Sequence, residues 1–125
     1  MKDGLQEINE LIGVWGSLLC NNQGDVIVNS SPPELNKASL ENVTRHVVEL
    51  IFSAGESVQG LSEAVMHFSQ KKLFVLDLEQ VILVVICTPS IDISLLRMTV
   101  NVVKTRWEGD VKVQKQMKKH FIERV

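Results

Sequence analysis

The chain has 125 residues, 45% of them hydrophobic and 22% charged, which is the composition of an ordinary globular domain. Its net charge is -2 and its isoelectric point is near 5.9. A protein that binds nucleic acid needs a surplus of lysine and arginine to contact phosphates, so these values argue against that class of function.

The N-terminal part is predicted to contain a helix followed by a β-hairpin. Apolar residues at helical spacing, the last of them Ile12, predict an amphipathic helix over residues 3–12. Two apolar runs, 14–20 and 26–29, lie on either side of the turn NNQGD, in which Gly24 is expected to have a positive φ.

A proline-containing connector leads into a long second helix. Asn36 is expected to cap this helix, which is predicted over residues 37–58 because apolar residues recur there with a period near 3.6. The stripe expected to face the core comprises Leu40, Val43, Val47, Leu50, Ile51, Ala54 and Val58.

Three strands in quick succession are predicted after the second helix. They span residues 63–69, 72–78 and 81–87, and the links between them are so short that the strands must be antiparallel neighbours. The last of these strands is apolar on both faces, which predicts a central position in the sheet with helices on both sides.

Two more helices are predicted towards the C-terminus. Ser90 is expected to cap a helix over residues 91–107, and a last amphipathic helix is expected over residues 111–123. The side chains expected to face inward are Leu95, Leu96, Thr99, Val102, Val103 and Trp107 in the first of these helices, and Val113, Met117, Phe121 and Val125 in the second.

The order of these elements predicts a mixed α/β fold of the α+β kind. The elements follow as α-β-β-α-β-β-β-α with a further C-terminal helix, so a five-stranded antiparallel sheet would carry helices on both faces. Residues 1–107 would form the domain and residues 108–125 a basic, amphipathic helical extension. Residues 104–125 contain seven basic and three acidic side chains. This pattern leaves four alternatives open: contact with a partner protein, with the acidic body of the chain or with an anionic membrane, or a solvated helix packed loosely on the domain.

One edge of the predicted sheet is suited to pairing with a second chain. The strand over residues 63–69 contains neither proline nor lysine, the residues that discourage edge pairing. The second helix places Val48 and Phe52, four residues apart, beyond its apolar stripe and beside Glu41 and Arg45. Such a strand edge and such a strip of exposed apolar residues, close together in sequence, predict a symmetric homodimer contact.

The segment IGVWGSLLCNNQGDVIVNSS, residues 12–31, carries three glycines, Gly13, Gly16 and Gly24, around two apolar strands and a polar turn. This segment and the order of elements resemble the roadblock/dynein light-chain domain family, in particular its prokaryotic GTPase-regulator-like branch, which has glycines at these three places. The connector, the apolar helix, the three-strand meander and the leucine-bearing helix that follow also match, so the resemblance covers residues 4–107.

The resemblance implies a profilin-like sheet with the second helix on one face and the first and third helices on the other. It also implies a dimer in which the third strands pair and the second helices pack side by side. The residues implied in that contact are Val48, Phe52, Ala64, Val65, Met66, His67 and Phe68. Members of the family bind small Ras-like GTPases or serve as accessory chains in motor and signalling assemblies, and some bacterial members stimulate a GTPase. The residues expected to contact such a GTPase are Glu41, Arg45, Glu49 and Glu56.

No motif for catalysis, metal binding or cofactor binding is present in the sequence. It contains no P-loop, no G-x-S-x-G and no H-E-x-x-H motif. His46, His67 and His120 are scattered without acidic or cysteine residues at ligand spacing, and Cys20 and Cys87 are expected to be buried thiols within apolar runs. We therefore expect a regulatory or scaffolding protein without its own active site and without a cofactor.

Two further expectations concern location and an alternative function. No apolar run is long enough to span a bilayer and the N-terminus does not resemble a signal peptide, so a cytoplasmic protein is expected. The alternative to a GTPase-binding homodimer is a small-molecule sensor, because profilin-like and PAS-like sheets can both enclose ligands. An accessory light chain of a larger assembly is the other alternative that the resemblance leaves open.

Overall fold

The computed structural model describes residues 1–57, 62–68 and 70–121, without the side chains of 54–57 and 68. It contains nine helices and strands in these residues. In chain order they are α1 (Lys2–Asn9), β1 (Val14–Cys20), β2 (Val26–Ser30), α2 (Lys37–Ser57), β3 (Glu63–Phe68), β4 (Lys71–Asp77), β5 (Ile82–Cys87), α3 (Ile93–Glu108) and α4 (Val111–His120).

The five strands form one antiparallel sheet in the order β2-β1-β5-β4-β3. Strand β5 lies in the centre, and every one of its side chains is buried. The predicted mixed α/β class, the order of elements and the central position of β5 are therefore confirmed. Residue 69, the last of the predicted third strand, lies outside the described residues.

The helices cover the two faces of the sheet unequally. One face carries α1, α3 and α4, whose buried residues share a core with Leu19, Phe74 and Val85 of the sheet. The other face carries α2 alone, packed on Leu18 and Val84. Alternate residues of β1 and β5 thus enter different cores, as the two-residue period of a strand requires.

The β1–β2 hairpin fixes the position of α2. Gly24 has a φ of +91°, as predicted for its turn, and a Cβ atom there would lie 2.9 Å from the Cα of Arg45. The hydroxyl of Thr44, a fully buried residue, donates a hydrogen bond to the carbonyl oxygen of Gly24. At the start of the helix the side chain of Asn36 accepts a hydrogen bond from the Ser39 N–H at 2.8 Å, so the predicted cap is confirmed.

Three helix boundaries differ from their predictions by two residues or more. Helix α1 ends at Asn9, and Ile12, expected on its apolar side, is 96% exposed. Helix α3 begins two residues later than expected, because Asp92 and not Ser90 caps it by accepting a hydrogen bond from the Leu95 N–H at 3.1 Å. Helix α4 ends at His120, so the predicted end at residue 123 is wrong, as is the inward position of the exposed Phe121. Val125 lies outside the described residues.

The inward face of α3 is rotated relative to its prediction. Leu95 and Val102, expected inside, are exposed on the outer side, while Val100 is buried. Apolar residues lie all round this helix, so periodicity alone could not select its inner face. The residues that enter the core are Leu96, Val100, Val103 and Trp107.

Candidate protein-binding surface

Strand β3 forms one edge of the sheet, and the hydrogen-bond pattern shows which of its backbone groups point outward. The N–H of Asp77 donates to the carbonyl oxygen of Ser62 at 2.7 Å, so these two residues form a hydrogen-bonded pair. Hydrogen-bonded and non-bonded pairs alternate along an antiparallel ladder. The backbone groups of Glu63, Val65 and His67 therefore point away from β4, towards the edge.

The side chains of β3 divide between the two faces of the sheet. Glu63 faces α3, where its carboxylate accepts hydrogen bonds from Arg97 at 3.0 and 3.1 Å, and this contact raises the pKa of the guanidinium. Val65, on the same face, is 41% exposed. Met66 packs on the α2 side, opposite Leu73. A further apolar side chain at the edge, that of Phe68, lies outside the described part of the structure.

One of the α2 residues expected in the dimer contact is buried instead. Val48 was expected to point away from the core, but it is only 2% exposed and packs in the buried cluster under the helix. Leu50, expected inside, is 52% exposed instead. Phe52 is 38% exposed, as expected for a surface position. The inner face of α2 is therefore rotated by about one residue from the predicted stripe, towards Thr44 and Val48.

The polar residues expected to contact a partner share one side of α2. Glu41, Arg45 and Glu49 are spaced by one helical turn; Glu41 is half-buried and the other two are exposed. Glu56 belongs to the last turn of the helix, but its side chain lies outside the description. The helix thus presents two carboxylates and one guanidinium with the exposed Phe52 on the same side, whereas the exposed Leu50 lies about half a turn away on the other side of the helix.

A cleft that the sequence did not reveal opens beside the N-terminal half of α2. Its volume is about 460 Å³, and Trp15 and Lys71 meet in its wall, with the Lys71 ammonium 4.2 Å from the centre of the indole ring. Trp15 is the extra residue of a β-bulge in β1, where the register with β5 shifts. The cleft is lined by Trp15, Leu35, Ser39, Leu40, Asn42, Val43, Lys71, Leu73 and Ile86.

Groups that could support catalysis do not converge in the described residues. Cys20 and Cys87 are buried free thiols, as predicted, and desolvation raises their pKa values to about 12 and about 11. The described histidine, cysteine, aspartate and glutamate residues form no cluster that could hold a metal ion. Within the same residues, no helix is long and apolar enough to cross a membrane.

Comparison of the structure with solved structures identifies the fold, although no protein-family model and no curated protein matches the sequence. A Roadblock/LC7 domain from Streptomyces avermitilis superimposes with a TM-score of 0.69 at 16% identity, covering 86% of this chain and 91% of that chain. The fold is that of a roadblock domain.

Two solved structures of gliding-protein MglB share this roadblock fold. MglB from Thermus thermophilus matches with a TM-score of 0.70 and 14% identity over 94% of this chain and 87% of that chain. MglB from Myxococcus xanthus matches with a TM-score of 0.65 and 12% identity over 82% of this chain and 84% of that chain. At these identities the likeness establishes the fold, and the resemblance found in the sequence between residues 4 and 107 is confirmed at that level.

Proposed function

We propose that the protein is a cytoplasmic homodimer that binds and regulates a small Ras-like GTPase. The observation that carries the proposal is the open edge of β3, where the backbone groups of Glu63, Val65 and His67 point outward beside a half-exposed valine. Such an edge is a template for a further strand. The roadblock fold and the resemblance to GTPase regulators support the choice of partner.

A second copy would extend the sheet most favourably with Val65 on the two-fold axis. In this register Glu63 lies opposite His67 of the second copy, and all three outward-facing residues take part in hydrogen-bonded pairs. The two copies of α2 then lie on the same face of a continuous ten-stranded sheet, with the exposed Phe52 in the proposed contact between them. Strand edge and helix surface would thus form one symmetric interface.

The GTPase would bind across the two α2 helices through Glu41, Arg45 and Glu49, with Glu56 as a further candidate. In this proposal the protein affects the rate of GTP hydrolysis by its partner and supplies no active site of its own. We infer this role from the mixed-charge surface of α2, which offers complementary charge to a partner but no convergent catalytic groups among the described residues. A scaffolding role in a larger signalling or motor assembly would use the same surface.

Replacing Phe52 with aspartate tests the homodimer. The charge would be placed in the helix contact, so light scattering at micromolar concentration should report a dimer for the native protein and a monomer for the variant. Met98→Asp is the matched control, because Met98 is also an exposed apolar residue but belongs to α3 on the opposite face. A native protein that is monomeric at these concentrations, or a control that dissociates equally, would contradict the proposed interface.

Reversing charges on α2 tests GTPase binding separately. Arg45→Glu and Glu49→Lys should each weaken binding to a purified Ras-like GTPase by about tenfold or more while the dimer remains intact. Glu34→Lys, on the exposed connector before α2, is the control for a general charge effect. Biolayer interferometry with the GTPase loaded with a non-hydrolysable GTP analogue measures the affinities. Unchanged affinities in both α2 variants would remove this surface from the proposal.

The cleft beside α2 favours a second candidate function, that of a small-molecule sensor. A volume of about 460 Å³ with apolar walls and a few polar groups is typical of ligand sites. An apolar or aromatic ligand would contact Trp15, so its binding should change tryptophan fluorescence and raise the melting temperature in a metabolite screen. Trp15→Phe should abolish the fluorescence change. A screen without any stabilising compound would count against this alternative.

A further inference from the structure

The outward face of α4 consists of lysine side chains. All four lysines of this ten-residue helix are exposed, and the helix contains no aspartate or glutamate. These residues are Lys112, Lys115, Lys118 and Lys119. The whole chain has a net charge of -2, so the remaining residues together carry -6. An otherwise acidic protein therefore concentrates positive charge on one short helix.

Helix α4 is held in a fixed orientation on the body of the protein. The side chain of Asp110 accepts a hydrogen bond from the Val113 N–H at 3.2 Å, and the Gln114 side chain donates one to the carbonyl oxygen of Trp107 at 2.8 Å. Val113 and Met117 are buried in the same cluster as Trp107. The lysines are consequently directed to solvent by the packing of the opposite side of the helix.

Among the described residues, no acidic side chain forms an ion pair with a lysine of α4. The ion pairs within the described residues join Arg97 to Glu63, Lys104 to Glu108 and Arg106 to Glu7, and none of them involves α4. Exposed apolar side chains lie at both ends of the helix, Val111 and Phe121. The surface therefore combines four cations, which form no ion pair with another described residue, over about 10 Å along the helix with apolar residues at its margins.

We propose that α4 docks the protein on an anionic lipid bilayer, with the helix axis parallel to the membrane surface. The lysines lie along a convex helix face, and one of them, Lys119, also borders a cleft of about 350 Å³. As a set they suit a partner that is recognised by charge density. Anionic headgroups provide such a partner, with each lysine near the surface contributing roughly equally. The side chains of Val111 and Phe121 can enter the boundary between headgroups and acyl chains.

The homodimer described under Proposed function would strengthen this docking, and this step rests on that proposal. Antiparallel pairing of the β3 strands places equivalent residues on the same face of the joined sheet. Both copies of α4 then lie on the face opposite the two α2 helices. Eight lysines would contact the membrane while the α2 surface remained open to a GTPase in the cytoplasm.

Co-sedimentation with lipid vesicles tests the proposal. The native protein should bind vesicles of phosphatidylcholine containing about 30% phosphatidylserine and should not bind vesicles of phosphatidylcholine alone. Because surface charges are screened over about 10 Å at 0.1 M salt, binding should fall steeply between 50 and about 300 mM salt. Equal binding to both kinds of vesicle, or binding to neither, would overturn the proposal.

Lysine-to-glutamine variants locate the contact. Because each dimer carries two copies of α4, Lys115→Gln should lower the partition coefficient about 30-fold, and the Lys115→Gln/Lys119→Gln double variant by roughly several hundredfold. Lys37→Gln, an exposed lysine at the start of α2, is the matched control and should bind like the native protein. These exposed substitutions are compatible with the helix, and circular dichroism verifies the fold. A double variant that binds as well as the native protein would overturn the assignment to α4.

The oligomeric state separates this proposal from the homodimer. Light scattering of the Lys115→Gln/Lys119→Gln variant should still report a dimer, so a loss of vesicle binding would report α4 alone. Conversely, the Phe52→Asp monomer should still bind anionic vesicles in preference to neutral ones, but with a lower affinity. The slope of the logarithm of its partition coefficient against the logarithm of the salt concentration should be about half that of the dimer. A monomer without any such preference would show that a single α4 is insufficient and would overturn the proposal as stated.

Discussion

The two faces of the sheet differ in how completely the chain covers them. Helices α1, α3 and α4 close one face, where sixteen buried residues form a cluster within the described part of the chain. On the other face the single helix α2 buries a cluster of eleven. Each face carries a cleft, of about 460 Å³ beside α2 and of about 530 Å³ beside Trp107 and Met117. The two sides differ in their cover: three helices lie on one, called the closed face, and one helix lies on the other, called the open face.

The helices of the closed face are joined to one another by specific contacts. Glu7 and Arg106 join α1 to α3 through a 2.6 Å ion pair, and a Cβ atom on Gly4 would lie 2.7 Å from the ring of Trp107. On the open face α2 is the single helix, and its side chains Leu50 and Phe52 are exposed. Each face carries one of the proposed docking surfaces, α2 for a GTPase and α4 for a membrane.

The largest expected effect distinguishes the core of the open face from its surface. Val48→Asp would bury an unpaired carboxylate beneath α2, so we expect a loss of several kcal/mol of unfolding free energy, enough to unfold a domain of ordinary stability. Leu50→Asp, two residues away on the exposed side, should cost about 1 kcal/mol or less. Urea denaturation followed by circular dichroism measures both. Similar losses for the two variants would show that the faces of α2 are misassigned.

On the closed face, the removal of Trp107 should have the next largest effect. Its side chain is buried between α1, α3 and α4, so Trp107→Ala should lower the unfolding free energy by about 3–5 kcal/mol. Leu95→Ala, an exposed position of the same helix, should cost about 1 kcal/mol or less. Denaturant titrations of both variants test the comparison. A loss below about 1 kcal/mol for Trp107→Ala would mean that the closed face contributes little to the core.

A smaller effect is expected where α1 approaches α3 most closely. In Gly4→Ala the added methyl group would overlap the Trp107 ring, and the resulting strain should exceed the gain of about 1 kcal/mol in helix propensity. We expect a net loss of about 1–2 kcal/mol. In Gly109→Ala the nearest atoms lie at 3.8 Å, so this control should leave stability nearly unchanged. A stabilised Gly4→Ala variant would show that the helices can separate without cost.

Most of the sheet could be predicted from the sequence, because its signals are local. The strands alternate or are continuously apolar, the links between β3, β4 and β5 are too short for anything except antiparallel pairing, and Gly24 marks the hairpin turn. The predicted second helix agrees with α2 to within one residue at its C-terminal end, and the predicted cap Asn36 is the observed one. Local chemistry is therefore sufficient to determine these elements.

The faces of the helices and the cleft could not be predicted, because they depend on tertiary packing. Both α2 and α3 carry apolar residues on more than one side, so the choice of Val48 over Leu50 is made by the sheet beneath and not by periodicity. The cleft arises where a β-bulge brings Trp15 together with Lys71, more than 50 residues further along the chain. The only signal of this cleft in the sequence is a lone tryptophan at the start of an apolar run.

The two cysteines allow the openness of the faces to be compared within one molecule. Cys20 belongs to the cluster under α2 and Cys87 to the cluster under α1, α3 and α4, and both are fully buried with raised pKa values. Neither thiol can react with an alkylating reagent at pH 8 while it is buried. The helices that cover it must first move away, and its pKa then returns towards 8.5. Because one helix opens more readily than three, alkylation in low urea should reach Cys20 before Cys87, as mass spectrometry of peptides can show. Cys20→Ala and Cys87→Ala variants provide the separate rates, and equal rates would mean that both thiols are exposed only by global unfolding.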